Sequence, residues 1–395
     1  MKKQGKKWML VVLALLAVVT VALPLVGCKN DSVSEQTGDG TGSGSGNQGS
    51  GDPEQPVTYT VYFYTNGGGF IDSQTIVSGQ TATKPADPTL ENNVFGGWYS
   101  DEELTSEYDF TTTVTGSFTL YAKWVKRIEV NAYDVYNSVI PGLTGDGAYI
   151  LVATGKWSSD DLSRLANELK DESKKVNLDL SKVSDLTEIG VTAFQGCSGL
   201  TSISIPEGVK SIDGSAFSGC SGLTSIDLSK ATGLTRIGEA AFSGCSGLTS
   251  IDIPERVTTI GAGAFRGCRG LTSISIPEGV EIIGGDAFYE CRGLTSISIP
   301  SSVTSIGNHA FDGCRDLTSI SIPSSVEIIR EAAFQGCSEL TTVTMKATTP
   351  PELGYGVFED VSKILVPSGF VKDYWEAENW KEYSGIIEAI PDQTS

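Results

Sequence analysis

Cysteine and histidine are the side chains here with ready nucleophilic or metal-binding chemistry. The chain of 395 residues has eight cysteines and one histidine. Cys28 stands alone behind an apolar run, where its thiol is placed to attack as a nucleophile. Cys197, Cys220, Cys245, Cys268, Cys291, Cys314 and Cys337 occupy one position of a repeated unit. None forms a C-x-x-C pair, so a metal site is not expected. Export would favour disulfides. Seven is odd, however, and equivalent side chains of stacked units point the same way, which suits disulfide geometry poorly. Buried free thiols acting as small hydrophobes are expected instead. His309 falls where other units carry Ser215, Ala240, Gly263, Asp286 or Ala332, a variable surface site. With no H-E-x-x-H and no Cys–His pair, the usual catalytic constellations are missing. Neither an enzyme nor a cofactor is expected; an enzyme working through carboxylates alone would need a convergent acidic cleft.

The residues around Cys28 assign its chemistry. Lys2, Lys3, Lys6 and Lys7 form a basic start, and Trp8 to Leu23 is an apolar run interrupted only by Thr20. The run is short of the roughly 20 apolar residues of a membrane-spanning helix, and small residues follow it, as in a cleaved signal. Leu25-Val26-Gly27-Cys28 resembles the lipobox of bacterial lipoproteins. The resemblance implies cleavage before Cys28, a diacylglycerol on its thiol, and a membrane anchor of two or more acyl chains. Residues 1–28 hold four basic residues and no acid, so the remainder carries 24 basic and 48 acidic residues, a net charge of −24. Such a surface repels nucleic acid, which is excluded as a partner.

Residues 28–56 are rich in Gly and Ser and lack apolar periodicity, which predicts a flexible tether reaching on the order of 30 Å. Gly44 to Gly49 matches a dinucleotide-binding pattern, but no strand precedes it and no helix follows, so the match carries no function. Over 57–125 the pattern changes. Strands are predicted at Val57 to Thr65, Val94 to Tyr99 and Phe118 to Trp124. The run TNGGGF, ATKPADPT, FGGWYSDEEL, YDF, TLYAKW resembles the internalin-type B repeat, which implies a small β-grasp-like spacer. Phe95, Trp98, Tyr108, Phe110, Tyr121 and Trp124 are read as its core.

Residues 176–361 repeat with a period of 23, lengthened once to 25 between Leu223 and Leu248. In the unit Leu271 to Gly293, Leu271, Ile274 and Ile276 have the spacing of a short strand with Ser275 outward. Val280 to Ile283 predicts a second extended segment, and Asp286-Ala287-Phe288 a turn or short helix. The phenylalanines Phe194, Phe217, Phe242, Phe265, Phe288, Phe311, Phe334 and Phe358 should stack inside. With its P-x-x-V-x-x-I-G and A-F-x-x-C, the unit resembles the BspA-like leucine-rich repeat. The expected fold class is therefore mainly β, a right-handed leucine-rich-repeat solenoid of about eight coils behind a small β-grasp-like domain.

The ends must hide the apolar core. Residues 126–175 offer a strand, Ala148 to Thr154, and a helix, Asp160 to Lys170, capped by Ser158 to Asp161. Residues 362–395 offer a strand, Ser362 to Pro367, and a helix, Val371 to Ile387, with Trp375 and Trp380 as cap core.

Function is left to the surface. One outward column reads Asp179, Ser204, Asp227, Asp252, Ser275, Ser298, Ser321, Thr344, and beside it run Ser202, Ser225, Ser250, Ser273, Ser296, Ser319, Thr342. Two readings fit this face: a partner-binding surface with Asp227 and Asp252 contacting basic residues, or a solvated sheet. A third column holds Arg269, Arg292 and Arg315, with Arg266 nearby. It could take carboxylate or sulfate, or be neutralised by Glu290, Asp312 and Asp316. The BspA-like resemblance implies adhesion, with host extracellular-matrix or cell-surface proteins, or other bacteria, as partners. The expectation is a lipid-anchored protein of the bacterial cell envelope, facing outward. The alternative is an inward-facing structural or periplasmic lipoprotein scaffold with no host ligand. The segments are 1–27 signal, 28–56 tether, 57–125 spacer, 126–175 cap, 176–361 repeats and 362–395 cap.

Overall fold

In Thr58–Tyr64 (β1) the β-branched and aromatic residues alternate in burial, with Val61 and Phe63 inside and Tyr62 and Tyr64 outside. This computed structural model describes residues 55–136 and 147–391. The signal segment, Cys28 and the tether up to residue 54 lie outside the described residues, as do 137–146 and 392–395. Among the described residues, no helix is long and apolar enough to cross a membrane.

β1 pairs antiparallel with Gln74–Val77 (β2). It pairs parallel with Phe118–Val130 (β4), which also pairs antiparallel with Asn93–Tyr99 (β3). Val61, Phe63, Ala82, Trp98, Val114, Leu120 and Ala122 form the small core, with Phe95, Tyr108, Phe110 and Trp124 packed against it. Tyr121 departs from expectation. Its neighbours Leu120 and Ala122 point into that core, so the pleat turns Tyr121 to the opposite face. There its hydroxyl donates to Glu102 at 3.0 Å.

β4 runs on past the spacer. Its second half pairs parallel with Gly147–Lys156 (β5), and β5 pairs with Lys174–Ser184 (β6). The short helix Ala132–Tyr136 (α1) follows β4, and Ser159–Glu168 (α2) lies between β5 and β6. α2 starts one residue earlier than predicted, at a reciprocal cap in which Asp161 N–H donates to Ser158 Oγ and Ser158 N–H to the Asp161 carboxylate. β6 pairs with Leu200–Ser204, and that strand with Ser225–Asp227. The same face continues through Asp252, Ser273–Ser275, Ser296–Ser298, Ser319–Ile322 and Thr342–Met345 to Lys363–Val366 and Ile387–Ala389. The stack thus extends beyond the eight sequence units at both ends.

A second parallel sheet, starting at Glu188–Ile189 and ending at Glu352–Leu353, is built from two-residue strands, one per coil. The A-F-x-x-C segment closes each coil as a turn. The residue just before this segment is left-handed in every coil, from Thr192 (φ 56°) through His309 (φ 52°) to Gly356 (φ 63°). The eight phenylalanine rings stack with centroids 5.1–5.6 Å apart and planes 2–15° from parallel. Burying each contributes about 1.5–3 kcal/mol.

At the far end the predicted long helix does not form. Val371–Glu376 (α3) stops where Ala377 turns extended and Asn379 left-handed. Asn379 Nδ2 donates to Leu353 O and Trp380 Nε1 to Pro351 O, drawing the chain back onto the last coil. Trp380 is buried as expected of a cap, but Trp375 lies on the other side of α3 and is 45% exposed.

Coil spacing is tight where glycine precedes the strand, at Gly199, Gly222, Gly247, Gly270 and Gly293. A Cβ on Gly222 would overlap the Ser198 carbonyl oxygen. Later in the same column Asp316 and Glu339 carry side chains. Gly222→Ala should cost about 1–3 kcal/mol and lower the melting temperature by several degrees. Asp316→Ala, followed by the same thermal melt, should leave it nearly unchanged.

Candidate functional site

The chemistry-bearing columns separate into groups spent on the scaffold and groups left free. All seven repeat cysteines are buried free thiols. Six donate to the phenylalanine carbonyl of the preceding coil, from Cys220 Sγ to Phe194 O at 2.9 Å through Cys337 Sγ to Phe311 O at 3.1 Å. Cys197 has no coil before it and donates to Ala166 O of α2 at 3.2 Å. The position therefore needs a small apolar side chain with a weak donor, which a thiol supplies. Burial pushes the thiols of Cys291 and Cys337 up to about 12.

Threonines form a comparable ladder. The hydroxyls of Thr224, Thr272 and Thr295 donate to the carbonyls of Thr201, Thr249 and Thr272, one coil back, at 3.0–3.3 Å. Sequence reasoning missed this column, although its recurrence directly after each leucine was visible.

The serine columns beside it differ. Ser225 pairs with Ser202, Ser273 with Ser296 and Ser275 with Ser298 in strict register. Ser225, Ser250, Ser273, Ser275, Ser296, Ser298, Ser319 and Ser321 are exposed. Among the described residues their hydroxyls make no hydrogen bonds within the chain. Ser250, Asp252, Ser273, Ser275, Ser296 and Ser298 line a shallow depression of about 300 Å³.

The two aspartates are not equivalent. Asp227 Oδ1 accepts from Ser229 N–H at 2.9 Å, and Asp179 Oδ1 from Ser181 N–H at 2.8 Å. These Asx turns replace the proline turn of other coils, a role legible in the repeated D-L-S-K. The Ser229 hydroxyl and N–H hold the Asp227 carboxyl below the usual carboxylate range. Asp252 precedes Ile253-Pro254, so its carboxylate is not needed for a turn. That carboxylate is exposed and makes no hydrogen bond or ion pair among the described residues. Between them the 25-residue coil interrupts the ladder and leaves a cleft of about 270 Å³, lined also by Ser229, Thr232 and Glu255.

The arginine column stacks through its backbone: Gly293 N–H donates to Arg269 O, Asp316 N–H to Arg292 O and Glu339 N–H to Arg315 O. Arg292 is ion-paired with Glu290. Arg266 pairs with Asp286 at 3.0 Å and lies over the Tyr289 ring. Asp312 turns to His309 Nδ1 at 2.9 Å rather than to an arginine. Arg269 and Arg315 are exposed and have no ion-pair partner among the described residues. The three guanidiniums are therefore not one uniform stripe. No group of three or more His, Cys, Asp or Glu is placed to hold a metal among the described residues.

Residues 172–291 and 258–368 match the family model described as "BspA type Leucine rich repeat region", in six copies. Residues 59–123 match the Listeria-Bacteroides repeat domain. A "Putative Gly-rich membrane protein" of Evansella cellulosilytica is 46% identical over 78 residues, 20% of this chain and 9% of that protein. Among solved structures, a leucine-rich repeat protein from Bacteroides ovatus is 30% identical with a TM-score of 0.38, covering 46% of this chain and 59% of that one. The T. pallidum leucine-rich repeat protein is 29% identical with a TM-score of 0.35, covering 46% and 74%. The chain spans only a small part of its curated relative's length.

The raised thiol values set a pH dependence. An unfolded thiol titrates near 8.5. The stability that Cys291 and Cys337 contribute as neutral thiols is therefore fully present below about 8.5 and lost as pH rises toward about 12. Urea unfolding should show a falling midpoint over that window, and Cys291→Ala with Cys337→Ala should flatten the slope.

Proposed function

Because residues 172–368 belong to the BspA-type leucine-rich repeat family, behind a Listeria-Bacteroides repeat domain, we propose that this is a bacterial cell-envelope protein whose solenoid binds other proteins. The observation that carries the reading is the division of hydroxyls on the first sheet. The threonine column is consumed by the stack, whereas the serine columns stand in register, exposed and unspent. Ser275, Ser298 and Ser321, with Asp252 as a free carboxylate, offer donors and acceptors without bulk to an extended polar partner. Asp227 contributes charge at the edge of the face while holding its turn. Arg269 and Arg315 form a second contact region with Arg292 between them.

In this reading a lipid on Cys28 holds the chain to the membrane, the tether and spacer carry the solenoid outward, and the partners are host extracellular-matrix or cell-surface proteins, or other bacteria. The relative from Evansella is described as a membrane protein, which supports the envelope assignment.

Protease treatment of intact cells should cut the chain; full protection would mean the inward-facing scaffold. Cys28→Ala should move the protein from the membrane to the soluble fraction. For a partner captured from host matrix or from whole bacteria, Ser275→Lys with Ser298→Lys should weaken binding by roughly tenfold or more. Unchanged affinity in that variant would remove the serine face from the interaction. Arg269→Ala, Arg292→Ala and Arg315→Ala together test the second region in the same assay.

A further inference from the structure

A further depression lies off the solenoid. It is an open groove of about 690 Å³ on the outer face of β1 and β4, lined by Tyr62, Tyr64, Asn66, Glu102, Thr119 and Tyr121. Tyr62 and Tyr64 are 52% and 58% exposed, two residues apart on one strand, so their rings stand about 6.5–7 Å apart on one face. Tyr121, opposite Tyr64 in the parallel register, meets it edge-on with centroids 5.9 Å apart. We propose that this groove binds a neutral polysaccharide chain.

The donor and acceptor inventory selects the ligand class. Glu102 receives the Tyr121 hydroxyl on one oxygen and keeps the other free. Asn66 donates one Nδ2 N–H to Ala122 O at 2.7 Å, which leaves its carbonyl oxygen and its second N–H. The fixed unspent groups are thus two acceptor oxygens and one amide N–H beside flat aromatic faces. Among the described residues no lysine or arginine lines the groove. Lys123, next outward on β4, lies over the Tyr99 ring at 4.5 Å and donates to Leu104 O. An anionic polymer would meet Glu102 with no counter-charge, on a chain of net charge −20. A proline-rich segment also docks on aromatic grooves, but its prolines bring carbonyl acceptors and no N–H. Sugars bring the complementary set: hydroxyl donors around the ring edge and C–H faces that cover aromatic rings. Small-ligand sites enclose most of their ligand, whereas this groove is shallow and runs across two strands, which suits a chain of several sugar units.

The test is calorimetric titration of the full chain carrying Cys28→Ala with cellohexaose, xylohexaose, mannohexaose and chitohexaose, beside decaproline and phosphocholine. Saturable binding of at least one hexaose is expected. Tyr62→Ala with Tyr64→Ala should weaken it by roughly tenfold or more without moving the melting temperature, since neither ring belongs to the core. Thr119→Lys, which fills the groove from the other strand, should do the same. The proposal is overturned if none of the four hexaoses binds or if binding survives both variants. It is equally overturned if decaproline or phosphocholine is the species that occupies the groove.

Discussion

Everything in the solenoid depends on the phenylalanine carbonyl. Within its own coil it accepts the cysteine N–H three residues on, and from the next coil it accepts the cysteine thiol. The phenylalanine N–H meanwhile donates to the alanine carbonyl of the following coil. The backbone of one residue thus closes the turn and joins two coils. No coil can bury its apolar side by itself, so each is stable only while its neighbours hold this geometry. The ring stack, the thiol line and the threonine ladder follow the same repeat, because all must keep the spacing that these backbone bonds set.

The repeat array was readable because its signal is redundant. A period of 23 restated in unit after unit gives the strand positions, the inward phenylalanines and the outward serines without knowledge of tertiary contacts. Single-copy features were harder. Val371 to Ile387 has helical spacing, but the helix ends early because Asn379 and Trp380 contact a preceding coil that no local pattern announces. Tyr121 was counted with the spacer core because it is aromatic. Its parity between Leu120 and Ala122 already placed it outside, and the alternation in β1 likewise separates Tyr62 and Tyr64 from Val61 and Phe63.

The candidate surface shows a different limit. Residue type alone made Asp227 and Asp252 a pair, and made three arginines a stripe. Local hydrogen bonding divides both sets. Asp227 is occupied by a turn that its own D-L-S-K sequence specifies, and Asp252, followed by proline, is not. Arg292 is tied to Glu290, a residue held at a left-handed φ of 58° where the other six cysteine-bearing coils carry glycine. Which charges are free depends on such neighbours, and those are decided coil by coil rather than by the repeat.

The ends carry one more consequence. A coil offers each neighbour both donors and acceptors, and the set on one side complements the set on the other, so an open stack would be its own template. α2 fills the first vacancy with Ala166 O in place of a phenylalanine carbonyl, and its capping box fixes where it starts. At the other end Phe358, the eighth ring, meets Tyr383 edge-on and Trp380 at a tilt instead of a ninth parallel ring. In polymer terms these two elements are chain terminators. They convert a motif capable of endless head-to-tail growth into an object of defined length, and so keep two copies of the protein from adding to one another as if they were one more coil.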